Sequence, residues 1–173
     1  IVAPDGRDGM IAHAREFQEC GIPFIFDPGQ GLPMFSGDEL VDFISKADYV
    51  TVNDYEAELL LERTGYSLGK LASLVKALIV TKGAQGSVIY TGGHHIEIPS
   101  VQPKAIVDPT GCGDAYRAGL LYGIAHGLDW YATGKLASLL GALKIAYRGG
   151  QNHEFDRAAI DQHYFEAYGN RIF

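Results

Sequence analysis

Short apolar runs rich in Val, Ile and Leu alternate with segments whose apolar residues recur at helical spacing, and this alternation constrains the fold more than any other feature. Runs at Ile22 to Phe26, Tyr49 to Val52, Leu78 to Thr81, Ser87 to Tyr90 and His95 to Ile98 read as strands. Met10 to Glu19, Asp38 to Lys46, Asp54 to Arg63 and Leu68 to Ala77 read as helices, and three more close the chain: Gly113 to His126, Tyr131 to Arg148 and Phe155 to Tyr168. The pattern predicts an α/β protein, a doubly wound, mostly parallel sheet flanked by helices with room for an antiparallel edge. Its binding loops would lie at the strands' carboxyl ends.

Composition narrows the class. The chain has 173 residues, 47% hydrophobic and 20% charged, enough for one domain with a substantial core. A net charge of −7, with 14 scattered Lys and Arg, argues against a nucleic-acid or anionic-membrane surface. No apolar run is long enough to span a bilayer. Cys20 and Cys112 stand far apart, giving neither a disulfide framework nor a zinc pattern, so a reducing cytoplasm fits. His94 and His95 would point to opposite faces of a strand and read as surface histidines. The small residues of Ala115 to Gly127 read as close helix-to-sheet packing.

Three segments carry candidate chemistry. In the first, Val107 to Ala115, Gly111, Cys112 and Gly113 precede Asp114 where a helix begins, so close backbone approach, free N–H groups and the helix dipole together suit an anion. A Gly-rich turn with an acidic first helical residue would look the same. The glycine spacing fits neither G-x-G-x-x-G nor the P-loop, and it excludes a NAD-binding Rossmann site. In the second, Asn53 and Glu56 stand three apart where a strand meets a helix. They form a capping box, or an amide and a carboxylate able to hold hydrated Mg²⁺ beside a phosphate. The third runs from Leu78 to Tyr90, a strand, a turn with Gly83 and Gly86, and a strand. It is a simple turn, or one presenting the Thr81 hydroxyl and backbone N–H groups to phosphates. Arg148 to His153 reads as a glycine-capped helix exit.

In this order the segments resemble the ribokinase-like, or PfkB, family of carbohydrate and nucleoside kinases. Asn53 to Glu56 is similar to its N-x-x-E magnesium motif, Thr81 to Gly86 to its T-x-G-x-x-G nucleotide loop, and Asp108 to Asp114 to its D-[TP]-x-G-[AC]-G-D signature. The resemblance implies ATP and Mg²⁺ as cofactors and phosphoryl transfer to the hydroxyl of a small nucleoside or sugar. It makes Asp114 the general base and the N–H groups of Gly111, Cys112 and Gly113 the anion hole. Thr81, Gly83 and Gly86 become nucleotide contacts, with Gly150 and Asn152 added from the loop bordering the adenine. It also offers Asp108 and Thr110 as carbonyl donors to a monovalent cation, K⁺. Cys112 reads as a small residue permitting close approach; a thiol at a helix N-terminus is also expected to have a lowered pKa and to react with thiol reagents.

The resemblance covers the C-terminal part of a family member. The opening Ile1 to Gly6 reads as the end of a strand, with the N-terminal acceptor-binding region and lid missing, so the 173 residues alone are expected to be at best poorly active. Several stretches resemble bacterial adenosine kinases: Phe26 to Gln30, Asp108 to Thr110, Arg117 to Gly119 and Glu166 to Gly169. A ribokinase or another sugar kinase is the alternative of the same chemistry. A non-catalytic nucleotide-binding scaffold is the alternative of another class, against which Asp114 and Glu56 argue.

Overall fold

The computed structural model describes residues 1–173, which form two compact units. Residues 1–82 with 88–96 make the first, and residues 83–87 with 97–173 the second.

The first unit opens with helix α1 (Arg7–Glu19), strand β1 (Ile25–Phe26), a 3₁₀ turn at Gly29–Met34, and α2 (Gly37–Lys46). It continues through β2 (Tyr49–Asn53), α3 (Asp54–Thr64), α4 (Leu68–Ala72), β3 (Ala77–Thr81) and most of β4 (Ser87–Thr91) and β5 (His94–Ile98), whose Ser87, Glu97 and Ile98 fall in the second unit. The five strands lie in the order β1-β2-β3-β4-β5. β1, β2 and β3 run parallel, with Tyr49 opposite Ala77 and Asn53 opposite Thr81. β4 and β5 join through Gly92 and Gly93, both at positive φ, as a two-residue hairpin requires. The sheet is therefore mixed and mostly parallel, as its sequence pattern predicts. The middles of β2 and β3 are buried on both faces, and Phe26, Leu40, Phe43, Leu60, Leu78 and Val80 belong to one core.

The extents of β1 and α4 differ from the sequence expectation for identifiable reasons. β1 holds only two of the five residues expected, because Pro23 has no N–H and Phe24 gives its own to the Asp48 carboxylate at 3.1 Å. A bridge from Val2 to Phe26 extends that edge. α4 stops at Ala72 rather than Ala77, since Lys76 is drawn into the sheet by the Asp48 carbonyl at 2.8 Å and its ammonium pairs with the Asp48 carboxylate at 2.7 Å.

The second unit contains α5 (Cys112–Ala125), α6 (Trp130–Lys144) and α7 (Arg157–Tyr168). Within the second unit, two of the small residues of α5 stand against α6. A Cβ on Gly119 would lie 2.5 Å from the Ala137 Cα, and one on Gly123 would run into the Thr133 side chain. The closeness of these two helices explains the glycines. Leu136, Leu139 and Tyr164 form the core between α6 and α7. α6 ends at Lys144, not Arg148, because the Ile145 carbonyl is taken by the Val107 and Asp108 amides at 2.9 and 3.1 Å.

Candidate functional site

In the second unit the site is built on the start of α5. Gly111 caps the helix with φ of 80° and ψ of 3°, a left-handed conformation that glycine adopts without penalty. A Cβ there would also sit 2.8 Å from the Gly150 carbonyl oxygen, so the Gly111 and Gly150 backbones stand against one another. The Cys112 amide donates to the Pro109 carbonyl at 3.1 Å, whereas those of Gly113 and Asp114 find no acceptor within the chain. Two N–H groups without an acceptor thus stand beside a carboxylate. Asp114 is exposed over 87% of its side chain, with Oδ1 3.8 Å from Arg117 Nη1.

Asp108 fixes the approach to this helix. Its carboxylate accepts from the Thr110 amide at 2.9 Å and from the Gly149 amide at 2.7 Å. Those bonds, Gly149's first, draw its pKa down to about 2. In the turn that holds Gly149, the Asn152 side-chain amide donates to the Arg148 carbonyl at 3.1 Å. Cys112 departs from expectation: partial burial pushes its thiol up rather than down, although the nearby Lys144 charge works the other way.

Lys144 is the residue that sequence reasoning passed over. It is completely buried, and its ammonium donates to the carbonyls of Asp108 at 3.1 Å and Tyr147 at 3.0 Å. The available signal was a lysine between Leu143 and Ile145 in an otherwise apolar helical run.

In the first unit, Asn53 and Thr81 are register partners at the carboxyl ends of β2 and β3. Asn53 also caps α3: its Oδ1 accepts the Glu56 amide at 2.7 Å, and Glu56 Oε2 accepts the Asn53 amide at 2.8 Å. The capping box is therefore real, and it fixes an amide and a carboxylate together at the strand end. The oxygen donors suit a hard cation. No group of three or more His, Cys, Asp or Glu encloses them, so such a cation would be held through its own water. Thr81 is half-buried, with its hydroxyl turned to the Val52 carbonyl at 3.5 Å.

The glycines of the following turn answer to backbone needs. Gly83 has φ of 55° and Gly86 φ of 87°. A Cβ on Gly86 would collide with the Ile98 carbonyl. His94 and His95 are both exposed, as expected. No helix is long and apolar enough to cross a membrane.

Against this geometry, the profile of the pfkB family carbohydrate kinases matches residues 10–156. Burkholderia thailandensis nucleoside kinase, solved in complex with inosine, superposes with a TM-score of 0.97 at 52% identity over 98% of this chain and 56% of that one. The nucleoside kinase of Methanocaldococcus jannaschii is 37% identical over 128 residues, 74% of this chain and 42% of the relative. Bacillus subtilis ribokinase is 32% identical over 141 residues, 82% of this chain and 46% of the relative. The chain spans about half the length of the curated relatives it matches.

Proposed function

Because the chain belongs to the pfkB family of carbohydrate kinases, we propose that residues 1–173 are the C-terminal, ATP-binding and catalytic portion of a single ribokinase-like kinase domain that phosphorylates a nucleoside hydroxyl, adenosine first among acceptors. The observation that carries this reading is the start of α5, where two free amides flank an exposed carboxylate. The inosine-bound relative at 52% identity supports a purine nucleoside over a free sugar.

Asp114 accepts a hydrogen bond from the acceptor hydroxyl, aims it, and takes its proton as that oxygen bonds to the γ-phosphorus of ATP and the bond from the γ-phosphorus to the bridging oxygen breaks, releasing ADP. In a loose transition state little deprotonation is needed early, so positioning and electrostatics supply most of the acceleration. The two free amides, of Gly113 and Asp114, face the charge that develops on the transferred group; the Gly111 amide joins them as the family signature implies, and Cys112 adds its own only by giving up the Pro109 carbonyl. Thr81, Gly83 and Gly86 line the path of the nucleotide's phosphates, and Gly150 and Asn152 border its base. Asn53 and Glu56 would hold a hydrated Mg²⁺, which would neutralise phosphate charge. An ADP-inosine complex of the Burkholderia kinase supports ATP as donor. The donors offered to K⁺ do not fit it in the same way, because the Asp108 carbonyl already receives the Lys144 ammonium.

A sugar kinase is the second reading, favoured by the 32% identity to a ribokinase. The test is ADP release by the natural polypeptide carrying this chain, given Mg²⁺ and ATP with adenosine, inosine, ribose or fructose in separate reactions. Turnover with a nucleoside supports the first reading. Turnover with ribose or fructose alone replaces it by the second, and ATP binding without turnover on any acceptor counts against both.

A further inference from the structure

Lys144 is out of contact with solvent, yet it ends a helix and meets two backbone carbonyls from different segments. A buried ammonium is costly unless its three donors are met and a favourable field surrounds it. Both conditions are approached here. The carbonyl ends of α6 make a negative field at its C-terminus. Asp108, whose carbonyl it holds, carries a carboxylate kept ionised by the Gly149 and Thr110 amides. If filling space were the only need, Met or Leu would fill it without a desolvation penalty.

Two backbone carbonyls converge on this point, one of them the Asp108 carbonyl already considered as a donor to a monovalent cation, and oxygen donors of this kind suit such an ion. The Asp108 carbonyl begins the loop that leads to Gly111, and the Tyr147 carbonyl begins the turn that leads to Gly149 and Gly150. An ion shared by these carbonyls would neutralise the same two segments that the ammonium now joins. It would also have to sit within a few ångströms of a fixed like charge.

We propose that Lys144 is the resident cation of this loop, holding Asp108 and the Tyr147 turn together with a covalently carried charge, so that the protein needs no exchangeable K⁺ there. Lys144 is thus a positioning residue, acting through the backbone of the loop. The inference rests on the kinase reading only for its activity readout.

The test compares thermal melting of the natural polypeptide in KCl, NaCl and choline chloride at one ionic strength, for the wild type, Lys144→Ala and Lys144→Met. The wild type is expected to melt at the same temperature in all three salts and to turn over equally fast, within about twofold, with or without K⁺. Lys144→Ala is expected to melt lower in choline chloride and to regain roughly 5 °C or more, saturably, in KCl. Lys144→Met, which fills the space without charge, is expected to stay low in every salt.

A saturable K⁺ stabilisation of the wild type would overturn the proposal. So would a Lys144→Ala protein that no cation raises, which would leave Lys144 a simple staple. If neither variant folds, the wild-type salt comparison still decides. Absence of turnover on every acceptor would count against the kinase reading alone, since the melting experiment does not depend on it.

Discussion

The carboxylate of Asp108 accepts the amide of Gly149 at 2.7 Å, tying the loop ahead of α5 to the turn beyond α6. That bond, followed by those from Thr110, lowers the folded-state pKa to about 2. A depressed carboxyl pKa contributes stability that is present above the unfolded value and lost as pH falls through the folded one. Asp108→Asn is therefore expected to melt below the wild type at pH 7, with the gap closing between roughly pH 5 and pH 2. A gap that stays constant down to pH 2 would show that the charge of Asp108 is not what stabilises the turn.

Asp114→Asn keeps the helix start and removes the base. In the natural polypeptide, kcat is expected to fall by about 10²–10⁴-fold while ATP affinity changes little. Steady-state kinetics together with ATP titration separate the two effects. Near-normal turnover would remove Asp114 from the mechanism.

Gly111→Ala meets both a left-handed backbone and the Gly150 carbonyl, whereas Gly127→Ala meets a left-handed backbone alone, with open space around it. Strain by itself costs about 1–3 kcal/mol. Urea denaturation is expected to show Gly111→Ala as the more destabilised of the pair. Equal losses would mean that the Gly150 segment yields freely.

Burial raises the Cys112 thiol, while Cys20 is exposed. Iodoacetamide at neutral pH is expected to label Cys20 first, with peptide mass spectrometry reading the order. Faster labelling of Cys112 would restore the activated thiol that its place at a helix N-terminus suggests.

Glu56→Gln retains an oxygen for the Asn53 amide but loses the charge facing a cation. Melting temperature is expected to change little, whereas the Mg²⁺ concentration for half-maximal turnover is expected to rise by roughly tenfold. An unchanged Mg²⁺ dependence would leave the pair a capping box only.

What was legible from sequence was whatever depends on neighbours along the chain. Apolar runs and helical spacing placed every major element, and the Asn53 and Glu56 spacing announced a capping box that is present at both bonds. The misreadings come from contacts distant in sequence. Helical periodicity continues past Ala72 and past Lys144, but the Asp48 carbonyl and the Val107 and Asp108 amides end those helices. The role of Lys144 is hidden for the same reason, since the Asp108 carbonyl it meets lies on a segment no helical pattern connects to it. The glycines of α5 signal close packing in the sequence, and Gly119 and Gly123 are closely packed, but a glycine does not name α6 as the surface that approaches it.

Gly119 and Gly123 let α5 settle onto α6 without intervening side chains, and this makes the helix a lever. Gly123 lies ten residues from Gly113, about 15 Å along the axis at 1.5 Å per residue. Bulk added at that far end would pivot the helix and re-aim the free amides at its start. The direction in which the loop points is therefore set partly by residues that never approach the loop, and aim could drift in descendants of this sequence while the signature residues themselves stayed unchanged.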